Sequence, residues 1–469
     1  MTLVMLRDDA LRSTPDGFEL RLSLPWIRSL PAESLRSLIV RIDGYERDVE
    51  VHIPGPWWYL QDRARLRVVG RLAPGAHDIE VQFTLAVPYL AAGPDAPLLL
   101  PFRVSRRLDL GPDVDDPAGS HPGPIAADPG TRARSAHPEI REETSLPDGW
   151  SLTASAFNWT PDVVRAVRPA EEIALVPVLA GIADAVEIEA GQVWRTFPDP
   201  STDEVDRLRE RLAGAGGRVS IVGASIDDWA PDGRRRSDEE RAAFLVPQLR
   251  AAARVGALGA RVPLGQVGEP VRRMLLPTLH DLGVVLFEEA QGHQTPRSHA
   301  RAYDEIAALD DPHVRVLLDI SMLMPALPVT YLDRLHRAGI SADALHLLET
   351  AWQDPTTSAA VMDLLRSGGV PAPVHTLFMN LVVRFGRSDI AEVAEILPLV
   401  GAVHLKFWDL DDADGRLTRP LRDIGRALSA SGFAGTLCSE WGGHEWLDDD
   451  PELMTRAHLD LARPLLAAR

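Results

Sequence analysis

The chain has 469 residues, 45% hydrophobic and 25% charged, a length that predicts two or three domains and a composition ordinary for a globular protein. Its formal net charge of −19 argues against a nucleic-acid partner, because phosphate binding draws on a basic surface. One cysteine, Cys438, excludes an intrachain disulfide and a cysteine-based metal site, and no apolar run approaches the length of a membrane span, so no membrane partner is expected.

From the N-terminus, Met1 is not followed by a basic region and an apolar run, so a cytoplasmic protein is expected. Residues 17–109 read as strands and turns. "GFELRLSLP", "SLIVRIDG", "ARLRVVG" and "AHDIEVQFTLAV" alternate apolar and polar residues at a period near two, with "IDGYE" and "APGAH" supplying turns. This predicts a small antiparallel β-sandwich over residues 1–110. Residues 111–149, opening on "GPDVDDPAGSHPGPIAADPG", are rich in Pro, Gly and Asp without an apolar period, which predicts a linker.

From Trp150 to the C-terminus at 469 the texture changes again. Short apolar runs at 151–157, 185–191, 218–224, 259–265, 284–290, 314–320, 401–407 and 435–441 alternate with helical patterns such as "TDEVDRLRERLAGAGG" and "DEERAAFLVPQLRAAARVG". Buried apolar strands alternating with helices predict a parallel sheet, and this number of units predicts a (β/α)8 TIM barrel, whose sites lie at the C-terminal ends of the strands. The gap between Ile320 and Gly401 holds further helical segments, "SADALHLLETAWQ" and "TSAAVMDLLRSGG", and predicts a helical insertion that serves as a lid or a dimer surface; a homo-oligomer is expected.

Charges then stand where strands end. The fifth run closes on Glu288 and Glu289, the sixth on Asp319, the seventh on His404 and Lys406, and the eighth on Glu440. A charge inside an apolar run is costly unless it is paired or bound to a cation. Three carboxylates and one imidazole on one rim suit a hard or borderline divalent ion, Mn²⁺ or Mg²⁺ before Co²⁺ or Zn²⁺. Only one of Glu288 and Glu289 can face the mouth, since neighbours on a strand point to opposite faces. His404 and Lys406 share a parity. Lys406 is also the one lysine in a chain that otherwise writes its cations as arginine, which marks a place where a compact ammonium is not replaced by a guanidinium.

These motifs resemble the xylose-isomerase-like family of divalent-metal TIM barrels. The resemblance spans residues 150–469 and implies metal ligands at Glu289 in "EAQG", Asp319 in "LLDIS", His404 in "VHLKF" and Glu440 in "CSEWGG". "QVWRTFPDPSTDEVDRLRERL", "HLKFWDLDDADG" and "GTLCSEWGGHEW" are similar to the α subunit of C-glycoside deglycosidases. "LRLSLPWIRSLPAESLRSLIVRIDGYERDVEV" and "RLAPGAHDIEVQF" resemble their β subunit, which implies a fusion of both on one chain. The implied reaction is metal-dependent cleavage of a 3-oxo-glycoside, a C-glycoside first, by C2 deprotonation and β-elimination of the aglycone; the substrate is the partner expected.

Two departures bear on this. The α subunits carry their base, a histidine, two residues past the first ligand, where this chain has Gln291; His293 is the nearest replacement. The epimerase branch carries a histidine three residues past the aspartate ligand, where this chain has Met322, which disfavours the alternative of a sugar isomerase or epimerase working through a metal-bound enediolate. Lys406 is expected to hold a developing oxyanion, or to protonate a departing group if burial lowers its pKa, or else to serve structurally, paired with Asp409 or a ligand carboxylate. Trp441 and His444 are the candidates for substrate contact; Trp159, Trp194, Trp408 and Trp446 also lie near strand ends.

Overall fold

The computed structural model describes residues 4–93, 95–111 and 145–467. Most of the expected linker, residues 112–144, lies outside the described residues. Among the described residues no helix is long and apolar enough to cross a membrane.

The N-terminal part holds β1 (Leu11–Thr14), β2 (Gly17–Ser23), β3 (Leu30–Pro31), β4 (Leu35–Ile42), β5 (Tyr45–Arg47), β6 (Glu50–His52), β7 (Trp57–Trp58), β8 (Arg63–Val69), β9 (Ala76–Gly93) and β10 (Ala96–Asp109). They form two antiparallel sheets, β1-β2-β8-β6 and β10-β9-β4-β5, and a β3-β7 ribbon. The alternation read in the sequence sets the faces: on β8, Ala64, Leu66 and Val68 turn inward while the arginines between them face out. With Leu20, Leu22, Val40, Ile42, Val81 and Leu85 they build one core.

Eight parallel strands complete the fold: β11 (Trp150–Ser155), β12 (Ala185–Glu189), β13 (Arg218–Gly223), β14 (Gly259–Pro263), β15 (Val285–Ala290), β16 (Val314–Asp319), β17 (Val400–Phe407) and β18 (Gly435–Trp441). They pair in chain order and close through β18 and β11 into a barrel, the TIM-barrel fold the sequence predicts. The helices between them start where the chain supplies caps. Asp238–Val255 opens on a reciprocal Ser237–Glu240 capping box and stops at Gly256, which adopts a left-handed conformation.

The insertion between β16 and β17 is helical as expected, with Val329–Arg337, Ala342–Thr350 and Pro355–Arg366 around a core of Tyr331, Leu348, Trp352, Phe378 and Phe385. It returns to the barrel rim at Gly386, whose N–H donates to the Ser321 carbonyl at 2.8 Å. A Cβ at 386 would lie 2.4 Å from the Gly292 carbonyl and 2.5 Å from Met322 Cα, so this approach requires glycine.

The sheet domain is docked on the barrel. Its core continues into Trp159, Val163, Ile173 and Val176 of the barrel's first helical connection. Arg195 bonds Asp62 at 2.6 Å, and Gln61 donates to the Val163 and Arg168 carbonyls at 3.0 and 2.9 Å.

Candidate metal centre and active site

The rim residues converge because the strands are in register. Asp319 pairs with His404 across β16 and β17, and Lys406 pairs with Glu440 across β17 and β18. Glu289, Asp319, His404 and Glu440 are all buried and each offers a ligand atom within 4.8 Å of the others. Glu288 points the other way, where Arg272 holds it at 2.5 Å and the Gly265 N–H donates to it at 3.1 Å. The parity question thus resolves to Glu289.

Three further groups organise the cluster. His404 Nε2 lies 3.1 and 3.0 Å from the two oxygens of Glu187, while Nδ1 faces Glu289 at 3.1 Å and Glu440 at 2.6 Å. Arg261 on β14 donates to Glu187 and Glu289, each at 2.7 Å, and to Glu189. Lys406 Nζ donates to Glu440 Oε1 at 2.7 Å. Burial by itself would lower the Lys406 pKa, but Glu440 and Asp319 outweigh it and hold it above its ordinary value, so the side chain is an ammonium.

The donor set fits a divalent cation. Asp319 Oδ2 is buried without a hydrogen-bond partner, and burial, reinforced by Glu440 and opposed by Lys406, raises its pKa to about 6. Burial alone would likewise depress the His404 pKa, yet Glu187 and Glu440 hold it well above its ordinary value; the cluster attracts positive charge at this point. A second group, Glu187, His404 and Cys438, shares the imidazole. Burial keeps the Cys438 thiol well above its ordinary pKa.

The centre opens into a cavity of about 200 Å³. Glu289, Glu440, Lys406 and Gln291 line it, as do Glu189 and Arg261 of the barrel, Arg384 of the insertion, and Arg28 and Tyr89 of the sheet domain. Burial raises Glu189 to about 7 against the pull of Arg261. His293 is not among the lining residues; its Nε2 meets the Leu381 carbonyl at 3.2 Å. Neither Trp441 nor His444 lines the cavity. The Trp441 indole N–H donates to the Trp408 carbonyl at 2.8 Å, and both His444 nitrogens are buried without partners, with burial lowering its pKa to about 3. Asp409 accepts from Thr330 at 2.7 Å and does not pair with Lys406, whose partner is Glu440 of the four-donor cluster.

The sequence reading missed Glu187, Glu189, Arg261, Arg384, Arg28 and Tyr89. The first three carried the signal used elsewhere, a charge inside an apolar strand, in "AVEIEAG" and "GARVPLG".

The chain matches no protein-family profile. It is 25% identical over 328 residues to a C-glycoside deglycosidase alpha subunit of Arthrobacter globiformis, covering 68% of this chain and 93% of the relative. It is 24% identical over 317 residues to the 3'-dehydrocarminate deglycosidase alpha subunit of a Microbacterium species, covering 64% of this chain and 90% of that one. A stretch of 119 residues, 22% of this chain, is 29% identical to the beta subunit of a 3'-dehydrocarminate deglycosidase from a Microbacterium species, covering 89% of it. One chain therefore carries likenesses to both kinds of subunit.

Proposed function

We propose that this chain is a divalent-metal-dependent deglycosidase that cleaves 3-oxo-glycosides, C-glycosides among them, by removing the C2 proton and eliminating the aglycone. The observation that carries the reading is the shared cavity: the α-like barrel brings the four-donor cluster to it, and the β-like sheet domain supplies part of its wall. Glu289, Asp319, His404 and Glu440 would hold the ion, Mn²⁺ or Mg²⁺. The bound ion supplies Lewis acidity toward the C3 carbonyl oxygen and its neighbouring hydroxyl.

The chain's own groups perform the proton work. The carboxylates lining the cavity are Glu189, Glu289 and Glu440, and two of these belong to the donor cluster. Glu189 is therefore assigned the base. It takes the C2 proton, the C–H electron pair becomes the C1=C2 double bond, and the C1–aglycone bond breaks with its pair leaving on the aglycone, which takes up a proton. The products are the free aglycone and an unsaturated 3-oxo sugar. Lys406, an ammonium on the cavity wall, faces the negative charge that grows on the carbonyl side. Arg261 orients Glu189 and Glu289 together.

Met322, at the position where the epimerase branch has histidine, is fully buried and offers a ketose no hydrogen bond. The test is to incubate the metal-loaded protein with 3-oxo-C- and 3-oxo-O-glycosides and free ketoses. Aglycone release with appearance of the unsaturated sugar supports the reading; ketose isomerisation without release overturns it.

A further inference from the structure

The donor cluster takes up one side of the barrel mouth, from β15 to β18, and Glu189 stands on β12. Between them, the loops that follow β13, β14 and β15 bring Ser225, Gln266 and Gln291 to the same cavity. Ser225 is fixed through its backbone: its N–H donates to Gln248 Oε1 at 3.0 Å and its carbonyl accepts from Gln248 Nε2 at 2.8 Å, so its hydroxyl is left over. Gln266 Nε2 donates to the Ile226 carbonyl at 2.9 Å and leaves Oε1. The Gln291 backbone N–H donates to Gln294 Oε1 at 3.1 Å, and its side-chain amide is uncommitted. Among the described residues none of these three groups, hydroxyl, Oε1 and amide, has a hydrogen-bond partner within the chain.

The charged groups of the cavity are engaged by comparison. Lys406 bonds Glu440, Arg28 bonds Asp227, Arg384 bonds Glu445, and Arg261 bonds Glu189 and Glu289. The two aromatic rings on the wall each already face a cation, Tyr89 the Arg28 guanidinium at 4.0 Å and Phe157 the Lys406 ammonium at 5.4 Å. What the arc from β13 to β15 offers a ligand is therefore neutral hydrogen bonding: a hydroxyl that gives or accepts, an amide oxygen that accepts, and a whole amide that does both. Hydrocarbon laid over such groups leaves them unpaired at a cost, whereas a ring bearing hydroxyls pairs them.

We infer that Ser225, Gln266 and Gln291 form a leaving-group subsite for a second, neutral sugar, so that the preferred substrate is an oxidised disaccharide. This rests on the proposed deglycosidase reading, within which it makes the scissile bond C1–O. The oxidised ring sits at the donor cluster with C2 toward Glu189, and C1 is bonded to C2, so the group it carries lies against the neighbouring arc. The step balances on the chain's own groups. Glu189 takes the C2 proton, the C–H pair becomes C1=C2, the C1–O pair stays on the leaving oxygen, and that oxygen takes the proton back from Glu189.

The test uses the metal-loaded, full-length protein with 3-oxo-glucosides of both anomers: oxidised cellobiose and maltose, in which glucose leaves through O4, against the oxidised cyclohexyl glucosides, whose leaving ring lacks hydroxyls. Wild type is expected to have a KM about 10- to 100-fold lower for one disaccharide than for its cyclohexyl counterpart, the range of two or three neutral hydrogen bonds. Ser225→Ala and Gln291→Met should each narrow that ratio by about 3- to 10-fold by raising KM for the disaccharide. Ser225→Ala removes one oxygen and keeps the backbone bonds to Gln248, so it decides the matter if Gln291→Met disturbs the neighbouring donors, which metal content reads. Equal KM values in wild type, or equal changes on both substrates in Ser225→Ala, overturn the inference.

Calorimetric titration with the unoxidised glycosides separates the two readings. Tighter binding of cellobiose or maltose than of the cyclohexyl glucosides, weakened by Ser225→Ala in a protein that turns over no 3-oxo-glycoside, keeps the sugar subsite and sinks the deglycosidase. Turnover of both substrates with equal KM and equal binding sinks the subsite alone.

Discussion

Glu187 Oε2 lies 3.0 Å from His404 Nε2, on the ring nitrogen opposite the one that faces Glu289 and Glu440. With an ion bound, a carboxylate there would keep the remaining ring proton on Nε2 and turn the Nδ1 lone pair toward the ion. Glu187 is fully buried and is itself held by Arg261, so the ring has no freedom to turn.

Glu187→Gln is accordingly expected to weaken divalent-ion affinity by about 10- to 100-fold without unfolding the barrel. Metal titration followed by calorimetry reads the change. Unaltered affinity would mean the imidazole is oriented by its packing alone.

The donors themselves should be less forgiving. If these residues hold a hard cation as proposed, Glu289→Gln, Asp319→Asn and Glu440→Gln each remove a charged ligand and are expected to lose bound metal and activity together, with circular dichroism unchanged. Chelation of the wild type should give the same loss, restored by adding Mn²⁺ or Mg²⁺. Two of the three variants retaining full metal and full rate would dismantle the assignment.

The base role proposed for Glu189 requires its ionised form. With its pKa raised to about 7, chiefly by burial, kcat/KM is expected to climb as pH rises through that region and then to level. Glu189→Gln should lower kcat by about 10²- to 10⁴-fold, the span of a lost general base, with metal content unchanged. A fully active glutamine variant places the base elsewhere.

The barrel strands were legible because buried parallel strands read as near-continuous apolar runs, and the residues that cluster at the rim because a charge inside such a run stands out. Glu187, Glu189 and Arg261 sit in apolar runs of β12 and β14 too, but no motif marks them. The choice between Glu288 and Glu289 rests on Arg272, a partner from the preceding helix that local pattern does not reveal. Strand β10 carries Pro97 and Pro101, which it tolerates as the edge of its sheet. Arg28 and Tyr89 were illegible for a different reason. Which loop of one domain enters the mouth of another leaves no period in the chain.

Lys406 tests why one lysine persists. Its ammonium donates to Glu440 Oε1 at 2.7 Å in a pocket where the side chain is almost fully enclosed. Arginine brings a planar fork in place of a compact ammonium and displaces the charge. Lys406→Arg is expected to lower turnover by roughly a hundredfold, comparable to the loss of an oxyanion donor. Steady-state rates on one 3-oxo-glycoside decide it, and an unchanged rate would assign the lysine to composition alone.

The sheet domain covers Trp159, Val163, Ile173 and Val176 and supplies Ile27, Arg28 and Tyr89 to the cavity, so it serves the barrel in two separable ways. A chain begun at residue 145 exposes that apolar face and opens the cavity wall. It is expected to be poorly soluble and nearly inactive. Residues 1–111 added as a separate chain should recover part of the activity only at high concentration, because the covalent link holds the partners at an effective concentration of about the millimolar range. The comparison to make is specific activity against added sheet domain: saturable recovery ties the wall to function, whereas a truncated barrel that is soluble and fully active alone removes the sheet domain from the working site.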